Sequence, residues 1–304
     1  MRDLIELSFN IDGSKLQVAG EVLFIDHSNA YTYIIPVGKE KTSTFFHLLN
    51  FVNVSPHFKH IFTVDNAPTL IIRDTHFYCL YATIKLHQTI TQSQLNVPVL
   101  YTAKYPLAFH YKEKWLEKNQ RHEDNVNLAL DKTPPLMRAV LFDLATYYIH
   151  LNEEAYRLLA TVEQSLFSTS LCHARLKPDT PLYEFFMPEY LILDNRSRIY
   201  CEYLRHLYLE TQDLAAIHRL VNHIATKDPL TEAEWHFLYA RLFFPTHFYD
   251  VVYDIIIHGK VNLDQLYDQT LNYSKFLAML PSMVLNLTGI KLDTPSWCKS
   301  DQYI

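Results

Sequence analysis

Glycine is scarce in this sequence, and its scarcity excludes several kinds of phosphate-binding site. The 304 residues contain five glycines, and none lies between Gly38 and Gly259. Loops of the G-x-G-x-x-G or G-x-x-x-x-G-K-[ST] type need glycines so that backbone N–H groups can close around a phosphate. Dinucleotide-binding and Walker-type sites are therefore excluded. Few glycines beside 21 tyrosines and 18 phenylalanines also indicate long helices with few tight turns.

A cysteine framework, a long apolar run and a basic block are also lacking. Four scattered cysteines fit a reducing compartment and predict a cytoplasmic protein. Charge or imidazole interrupts each apolar stretch before the roughly 18 residues that a membrane span needs, so no membrane span is expected. The charge balance is mildly acidic, with 33 acidic and 27 basic residues, and the densest basic stretch, 112–121, includes two glutamates. We therefore expect no nucleic-acid partner.

Standard metal and hydrolase signatures are absent as well. No H-E-x-x-H, C-x-x-C, G-x-S-x-G or EF-hand pattern occurs. The Cys172-His173 pair, with Cys201 and His206, suggests a zinc site, but its spacing matches no standard one. Cys201 and His206 are five residues apart on a predicted helix and would point in different directions. We therefore expect no zinc site.

The first third of the sequence, residues 1–90, predicts a small sheet lobe with one helix. Asp12-Gly13 predicts a tight hairpin between two extended runs, because both residue types tolerate positive φ. A second hairpin is expected around residues 26–29, and a helix over 41–54 that stops before Pro56. The extended runs are Leu4–Ile11, Ser14–Val18, Glu21–Ile25, Tyr31–Val37, Ile61–Val64 and Thr69–Ile84.

The remainder, residues 91–304, predicts a larger helical lobe that begins after the polar stretch 85–96. Thr231 and Glu234 form a capping box, which marks the start of one helix. Helices are expected over 111–120, 134–151, 197–209, 231–242 and 263–280, with an irregular stretch at 168–188 and an extended one at 189–194. Core positions are expected at Val140, Leu144 and Tyr147, and along the aromatic stripe Phe243, Phe244, Phe248, Tyr249 and Tyr253.

Three local sequences in the second lobe carry a family resemblance. They read LCHARL at 171–176, DNRSR at 194–198 with EYLR at 202–205, and LYARLFFPTHF at 238–248. Together with the order of the lobes, they resemble the spore-coat members of the aminoglycoside-phosphotransferase and protein-kinase-like superfamily, the CotS-like group and in particular the YutH type. The resemblance implies a two-lobed α+β fold, with an antiparallel-sheet N-lobe and a helical C-lobe.

The resemblance also assigns positions to the catalytic residues, and several of them carry unsuitable side chains. Active superfamily members read His-Gly-Asp-Leu, three residues and then Asn, where the Asp acts on the acceptor hydroxyl and the Asn holds Mg²⁺. Here His173 matches the His and Ala174 the Gly. Arg175 matches the Asp and Thr180 the Asn, but a guanidinium stays protonated and cannot act as the base. Asp194 matches the second metal-binding carboxylate.

The sheet lobe lacks the matching phosphate-binding groups. Asp26, His27, Ser28 and Asn29 stand where glycines are implied, and the strand Tyr31–Val37 contains no lysine. No acidic residue lies between Lys41 and Asp65 to pair with such a lysine. We therefore predict a pseudokinase with no nucleotide cofactor and with protein partners, located in the cytoplasm or, by resemblance, in a spore coat. The alternative is a divergent phosphotransferase that uses ATP, Mg²⁺ and Asp194.

Three residues keep two interpretations each. His173 is either a buried residue that orients the backbone or a catalytic one, and no residue is predicted as catalytic with preference. Asp194 either binds a metal ion or caps the helix that follows it. Arg175 is either an ion-pair partner or an anion-binding group.

Overall fold

The computed structural model describes residues 13–19, 22–26, 30–38, 62–64, 70–72, 75–83, 102–103, 111–162, 169–174, 176–178, 180, 191–259 and 262–296. The chain divides into two compact units, Met1–Tyr105 with Ser168–Asp194 and Pro106–Phe167 with Asn195–Ile304. The predicted division into 1–90 and 91–304 stays a prediction, and the polar stretch 85–96 lies outside the described residues. No helix among the described residues is long and apolar enough to cross a membrane.

The first unit contains an antiparallel sheet with the order β1-β2-β3-β6-β4, in which β5 also pairs with β6. β3 and β6 are both nine residues long and pair along their whole length, from Ala30 opposite Thr83 to Gly38 opposite Thr75. Both strands are rich in β-branched and aromatic residues, which suit a pleated surface. The strands are β1 Gln17–Ala19, β2 Val22–Asp26, β3 Ala30–Gly38, β4 Phe62–Val64, β5 Leu70–Ile72 and β6 Thr75–Thr83.

Several strand predictions can be compared with this sheet. β2 and β3 pair as the predicted second hairpin, from Leu23 opposite Ile34 to Asp26 opposite Tyr31. The predicted strand Ser14–Val18 is wrong at its start, because Gly13–Lys15 forms a 3₁₀ turn and β1 begins two residues later. The predicted run Thr69–Ile84 contains two strands, β5 and β6, which pair with each other antiparallel. The predicted strand 4–11 and helix 41–54 lie outside the described residues.

A second, three-stranded sheet in the chain has the order β7-β8-β9. Its strands are β7 Thr102–Ala103, β8 Thr169–His173 and β9 Leu191–Asn195. β9 agrees with the extended stretch expected near 189–194, whereas β8 overturns part of the irregular stretch expected over 168–188. β8 pairs with β7, a two-residue strand far upstream, with Ser170 opposite Thr102. Such a long-range pairing leaves little local pattern in the sequence.

The second unit contains seven described helices. Pro135 begins α2 in the first turn, where a missing N–H costs no hydrogen bond. Gly259 and Gly289 end α6 and α7 in the left-handed conformation, which glycine adopts without strain. The helices are α1 Tyr111–Lys132, α2 Pro135–Ala160, α3 Ser197–Thr211, α4 Leu214–Lys227, α5 Glu232–Phe243, α6 Thr246–His258 and α7 Leu263–Thr288.

The helices are longer and more numerous than the sequence predicts. α1 extends to Lys132 rather than residue 120, α2 to Ala160 rather than 151, and α7 to Thr288 rather than 280. In α7 the helix continues through the buried Pro281, where tertiary packing overrides a local breaker. α4 was not predicted, although Asp213 caps it by accepting the N–H groups of Ala215 and Ala216.

Two of the predicted core faces are partly wrong, one in α2 and one in the aromatic stripe. In α2, Leu144 is buried as predicted, but Val140 is 41% exposed and Tyr147 is half-buried. The buried face instead includes Leu141 and Tyr148, because the helix is rotated slightly from the predicted phase. In the aromatic stripe four residues are buried, whereas Tyr253 is 58% exposed on the next turn of α6.

Candidate functional site

Two adjacent strands carry two of the predicted site residues. His173 ends β8, and Asp194 is the penultimate residue of β9, the strand that pairs with β8. Both side chains are buried, at 1% and 5% exposure. The thiol of Cys172 donates to the carbonyl oxygen of Asp194 over 3.9 Å, which links the two strands beside these residues. The short sheet therefore brings His173 and Asp194 onto neighbouring strands.

The hydroxyl of Thr180 is engaged by its own turn. Thr180 Oγ1 accepts the backbone N–H of Lys177 at 2.8 Å. The backbone N–H of Thr180 donates to the carbonyl of Lys177 at 3.2 Å. Thr180 thus closes a turn with Lys177, as Ser and Thr hydroxyls do in local turns. Arg175 lies outside the described residues, so both interpretations of it stay predictions.

The described donors fit a magnesium ion poorly. No group of three or more His, Cys, Asp or Glu side chains in the described part of the chain could hold a metal ion. Mg²⁺ needs near-octahedral oxygen ligands and is usually bound by carboxylates together with substrate phosphates. Here the matched positions offer the Asp194 carboxylate and a threonine hydroxyl that already accepts a hydrogen bond. The metal-binding role of Asp194 stays a prediction.

Cys201, one of the residues considered for a zinc site, lies in a buried environment beside Arg205. Its side chain is fully buried, and burial raises the pKa of the thiol to about 12. Its sulfur accepts a hydrogen bond from Arg205, 3.9 Å away. Zinc binds the thiolate, so a thiol that stays protonated at neutral pH is a poor ligand.

Asn195, a residue to which the sequence analysis gives no role, hydrogen-bonds to the first residue of α3, although Arg196 is the residue at the N-cap position. Asn195 Oδ1 accepts the backbone N–H of Ser197 at 2.8 Å and the hydroxyl of Ser197 at 2.5 Å. The backbone N–H of Asn195 in turn donates to the phenol oxygen of Tyr111 at 3.2 Å. The side chain that binds the backbone N–H of Ser197 at the start of α3 is therefore that of Asn195, the neighbour of Asp194. The D-N-R-S-R pattern contained the signal, because Asn is as good a cap as Asp.

Arg196 ties the start of α3 to the start of α5. Its guanidinium donates to both carboxylate oxygens of Glu234, at 2.8–3.1 Å, and to Asp228 Oδ1 at 2.7 Å. Glu234 also accepts the N–H of Thr231 at 2.9 Å, so the predicted capping box is confirmed and is part of the same network. Tyr200 donates to the other oxygen of Asp228 at 2.6 Å. One carboxylate thus caps a helix and binds a guanidinium.

Arg205 makes a second, deeper network in the helical unit. The side chain is fully buried, and its guanidinium donates to Glu202 and to the Thr246 hydroxyl, both at 2.8 Å. It also donates to the carbonyl oxygens of Arg241 and Phe244, at 2.6 and 3.0 Å. These contacts join α3 to the end of α5 and the start of α6. They satisfy buried polar groups that would otherwise be costly.

The same network fixes the charge of Glu202. Burial alone would raise the pKa of this carboxyl, but Arg205 and Arg241 outweigh burial and lower it to about 2. Arg241 Nε lies 3.4 Å from Glu202 Oε1. Tyr273 of α7 joins the network, since Arg205 Nε donates to its phenol oxygen at 3.3 Å. Its phenol donates to the carbonyl of Leu242 at 2.7 Å.

Several residues that carry the family resemblance therefore connect helices within the helical unit. Arg196 and Glu202–Arg205 come from the second local sequence, and Arg241–Thr246 from the third. The sequence interpretation gave these charges no role. The available signal was Glu202 and Arg205 at i and i+3 within an otherwise apolar and aromatic helix, a spacing that places both on one face.

Comparison with known proteins defines first the class and then the family. The aminoglycoside phosphotransferase from Alicyclobacillus acidocaldarius subsp. acidocaldarius DSM 446 superimposes with a TM-score of 0.60 and 16% identity, over 90% of this chain and 92% of that chain. The fold is thus kinase-like, of the aminoglycoside-phosphotransferase type. The family model described as "Spore coat putative kinase YutH" matches residues 102–278. The chain belongs to this family, and the predicted resemblance is confirmed.

A curated relative supports the same family. The "Endospore coat-associated protein YutH" of Bacillus subtilis (strain 168) is 28% identical over 169 residues. The match covers 50% of this chain and 50% of the relative. The matched region thus spans about half the length of that protein.

Proposed function

We propose that this chain is a non-catalytic, kinase-like component of the spore coat that acts by binding coat or assembly proteins. Family membership supports the coat role, and a curated relative is itself described as coat-associated. We further propose that the antiparallel sheet forms an N-lobe and that the helices form a larger C-lobe. Before it reaches the coat, the protein would be cytoplasmic.

The catalytic loop is the observation that carries the non-catalytic part of the proposal. Arg175 stands at the position of the base, where a permanently protonated guanidinium cannot accept a proton. Thr180 stands at the position of a metal ligand, and its hydroxyl accepts the N–H of Lys177. A neutral hydroxyl is also a poorer metal ligand than the amide oxygen that it replaces. Two of the groups that phosphoryl transfer needs are thus replaced by groups with other properties.

The central strands of the sheet add a second argument. β3 and β6 contain no lysine, so neither offers a cation for nucleotide phosphates. In kinases a strand lysine supplies much of the electrostatic stabilisation of the transferred phosphate. The sequence at 26–29 also places Asp26 where a triphosphate would be covered. These features together support the proposal that the chain binds nucleotides weakly.

Calorimetric titration with ATP, GTP and Mg²⁺ tests this part of the proposal. We expect no dissociation constant below about 1 mM, a binding free energy near −4 kcal/mol. Asp194→Ala serves as the matched variant and should behave like the wild type. A micromolar constant in the wild type that is lost in Asp194→Ala would contradict the proposal.

The coat role needs a separate test, because it does not depend on nucleotide binding. A fluorescent fusion produced in sporulating Bacillus subtilis cells should concentrate around the forespore. The Asp194→Ala fusion should localise equally, because recruitment would use a binding surface rather than catalysis. A diffuse signal throughout sporulation would contradict the coat role and leave the nucleotide result unaffected.

One observation favours a second candidate, a divergent phosphotransferase that uses ATP and Mg²⁺. Asp194 is buried on β9, the strand beside the one that carries His173, and this position supports keeping Asp194 as the candidate for the second metal-binding carboxylate. A retained carboxylate could bind Mg²⁺ together with nucleotide phosphates and water. The base would then have to come from a group outside the usual loop position. Phosphate release from ATP distinguishes the two candidates.

A further inference from the structure

The first turn of α6 contains a half-buried histidine, His247, whose ring nitrogens are both enclosed. His247 is the second residue of the helix, and its ring lies 5.4 Å from Tyr148, edge to face, and 4.6 Å from Tyr273. Both ring nitrogens are buried, and neither has a hydrogen-bond partner among the described residues. Even a neutral imidazole carries one donor and one acceptor. Burying both nitrogens therefore costs desolvation free energy that no described hydrogen bond offsets.

The charged groups around His247 disfavour a proton on its ring. Burial lowers the pKa of His247 well below its usual value, and positive charge on Arg205 and on His206 of α3 lowers it further. Glu202, also from α3, acts in the opposite direction but is already paired with Arg205 at 2.8 Å. α2 and α7 present only the phenols of Tyr148 and Tyr273 to the ring, and burial raises the pKa of both. Of the groups that act on His247 in the described part of the chain, Glu202 is the anion, and it is shared with Arg205 and Arg241.

His247 also adjoins the contacts that hold the start of α6. The preceding residue, Thr246, accepts a hydrogen bond from Arg205 at 2.8 Å. The following amides, those of Phe248 and Tyr249, donate to the carbonyl of Pro245 at 3.1 and 3.3 Å. A second cation beside Arg205 would therefore act directly on the turn that joins α5 to α6.

We propose that His247 is an acid-sensitive latch: protonation of its ring releases the first turn of α6 and exposes the aromatic side chains of Phe248 and Tyr249 before the helical unit unfolds. The direction follows from linkage. The folded turn binds the proton less well than the open turn, so the turn is most stable above about pH 6.5 and loses stability as the pH falls. The latch is independent of nucleotide binding.

Amide hydrogen exchange of the full chain measures the opening directly. Protection factors of the Phe248 and Tyr249 amides, corrected for the intrinsic pH dependence, should fall about tenfold or more from pH 7.5 to 5.0. The Ile217 amide, which donates to Asp213 at the start of α4, provides the reference and should change less than about twofold. An equal fall at Ile217 would indicate general unfolding and overturn the proposal.

Three variants identify the responsible group. His247→Phe keeps an aromatic ring without a titrating nitrogen and should abolish the fall. His218→Phe, at an exposed position of α4, should keep it. His122→Phe tests a rival group, because the ring centroid of His122 lies 3.5 Å from that of Tyr249 and burial lowers the pKa of His122 to about 4. This variant should also keep most of the fall, since His247 and not His122 lies in the turn that opens. A fall that persists in His247→Phe, or that disappears in either of the other variants, would overturn the proposal.

A measurement on the wild type covers the case in which His247→Phe does not fold. The ring protons of His247 should show a neutral imidazole by NMR at pH 6.0. They should begin to titrate only below this pH, together with the loss of protection at Phe248. Titration at pH 6.5 or above would overturn the latch without any variant.

Discussion

The guanidinium of Arg205 adds a second donor to two carbonyl groups at the end of α5. The carbonyl oxygens of Arg241 and of the C-cap residue Phe244 each accept one backbone N–H, and both also accept a hydrogen bond from Arg205. The same side chain balances Glu202, which is also buried. Removing one member leaves an uncompensated charge, which costs far more than an exposed ion pair contributes.

Arg205→Ala should therefore lower the free energy of unfolding by about 3–5 kcal/mol, since it breaks a buried network. Arg219→Ala is the matched control, because Arg219 is an exposed arginine that lies 3.6 Å from Asp213. The control should change stability by less than about 1 kcal/mol. Denaturant unfolding at pH 7 measures both, and equal effects would show that burial of Arg205 is unimportant.

Glu202 makes the helical unit sensitive to strong acid. Its pKa is lowered in the folded chain, so its contribution is complete above the unfolded value near 4.5 and is lost as the pH falls toward 2. Between pH 5 and 2 the wild type should lose about 3 kcal/mol more stability than Glu202→Gln, which has no carboxyl at this site. Unfolding as a function of pH measures this difference.

The control for this pH profile is Glu153→Gln, which removes an exposed carboxyl of α2. Its profile should follow that of the wild type. Parallel profiles for the wild type and Glu202→Gln would contradict the assignment of Glu202 as a paired carboxylate.

At the scale of elements, the buried face of α2 can be tested by truncation. Leu144 is 4% exposed in the core, so Leu144→Ala should cost about 2–5 kcal/mol of stability through lost contacts and a cavity. Val140→Ala, one turn earlier and 41% exposed, should cost less than about 1 kcal/mol. Thermal or denaturant unfolding checks both. Equal costs at the two positions would instead support the predicted phase, in which Val140 and Leu144 share the buried face.

The capping box at the start of α5 gives a second test at this scale. Thr231 accepts the N–H of Glu234 at 3.2 Å, and Thr231→Ala should cost about 0.5–2 kcal/mol of stability. Thr231→Ser keeps the hydroxyl and should restore most of the loss. Failure of the serine variant to recover stability would mean that the methyl group, rather than the cap, matters.

Local chemistry explains which elements the sequence predicts well. The capping box of α5, the prolines before α2 and the hairpin of β2 with β3 depend on neighbouring residues, and all three were found. Helix lengths were underestimated, because packing of an amphipathic face extends a helix past polar or proline residues. β8 is not predicted, because one of its two partner strands, β7, lies far upstream and pairs with it through only two residues.

At the scale of the whole molecule, the candidate site also divides into features that local sequence indicates and features that depend on long-range contacts. Sequence comparison assigns roles to His173 and Asp194 but does not predict that they lie on adjacent strands, because the stretch around His173 is expected to be irregular. It also does not show that Thr180 bonds to Lys177, nor that Arg205 forms a buried network and Arg196 a partly buried one, because these contacts depend on three-dimensional placement. The motif residues with a described role thus stabilise the helical unit more than they equip a catalytic centre.

Release of labelled phosphate from ATP, with Mg²⁺ or Mn²⁺, tests the non-catalytic account most directly. We predict no turnover above background in the wild type, in Asp194→Ala or in the double variant Arg175→Asp with Thr180→Asn. The double variant restores the loop pattern but not the missing phosphate-binding groups, and positioning supplies most of the rate in phosphoryl transfer. Turnover in the wild type that disappears in Asp194→Ala would contradict the account and establish the divergent phosphotransferase.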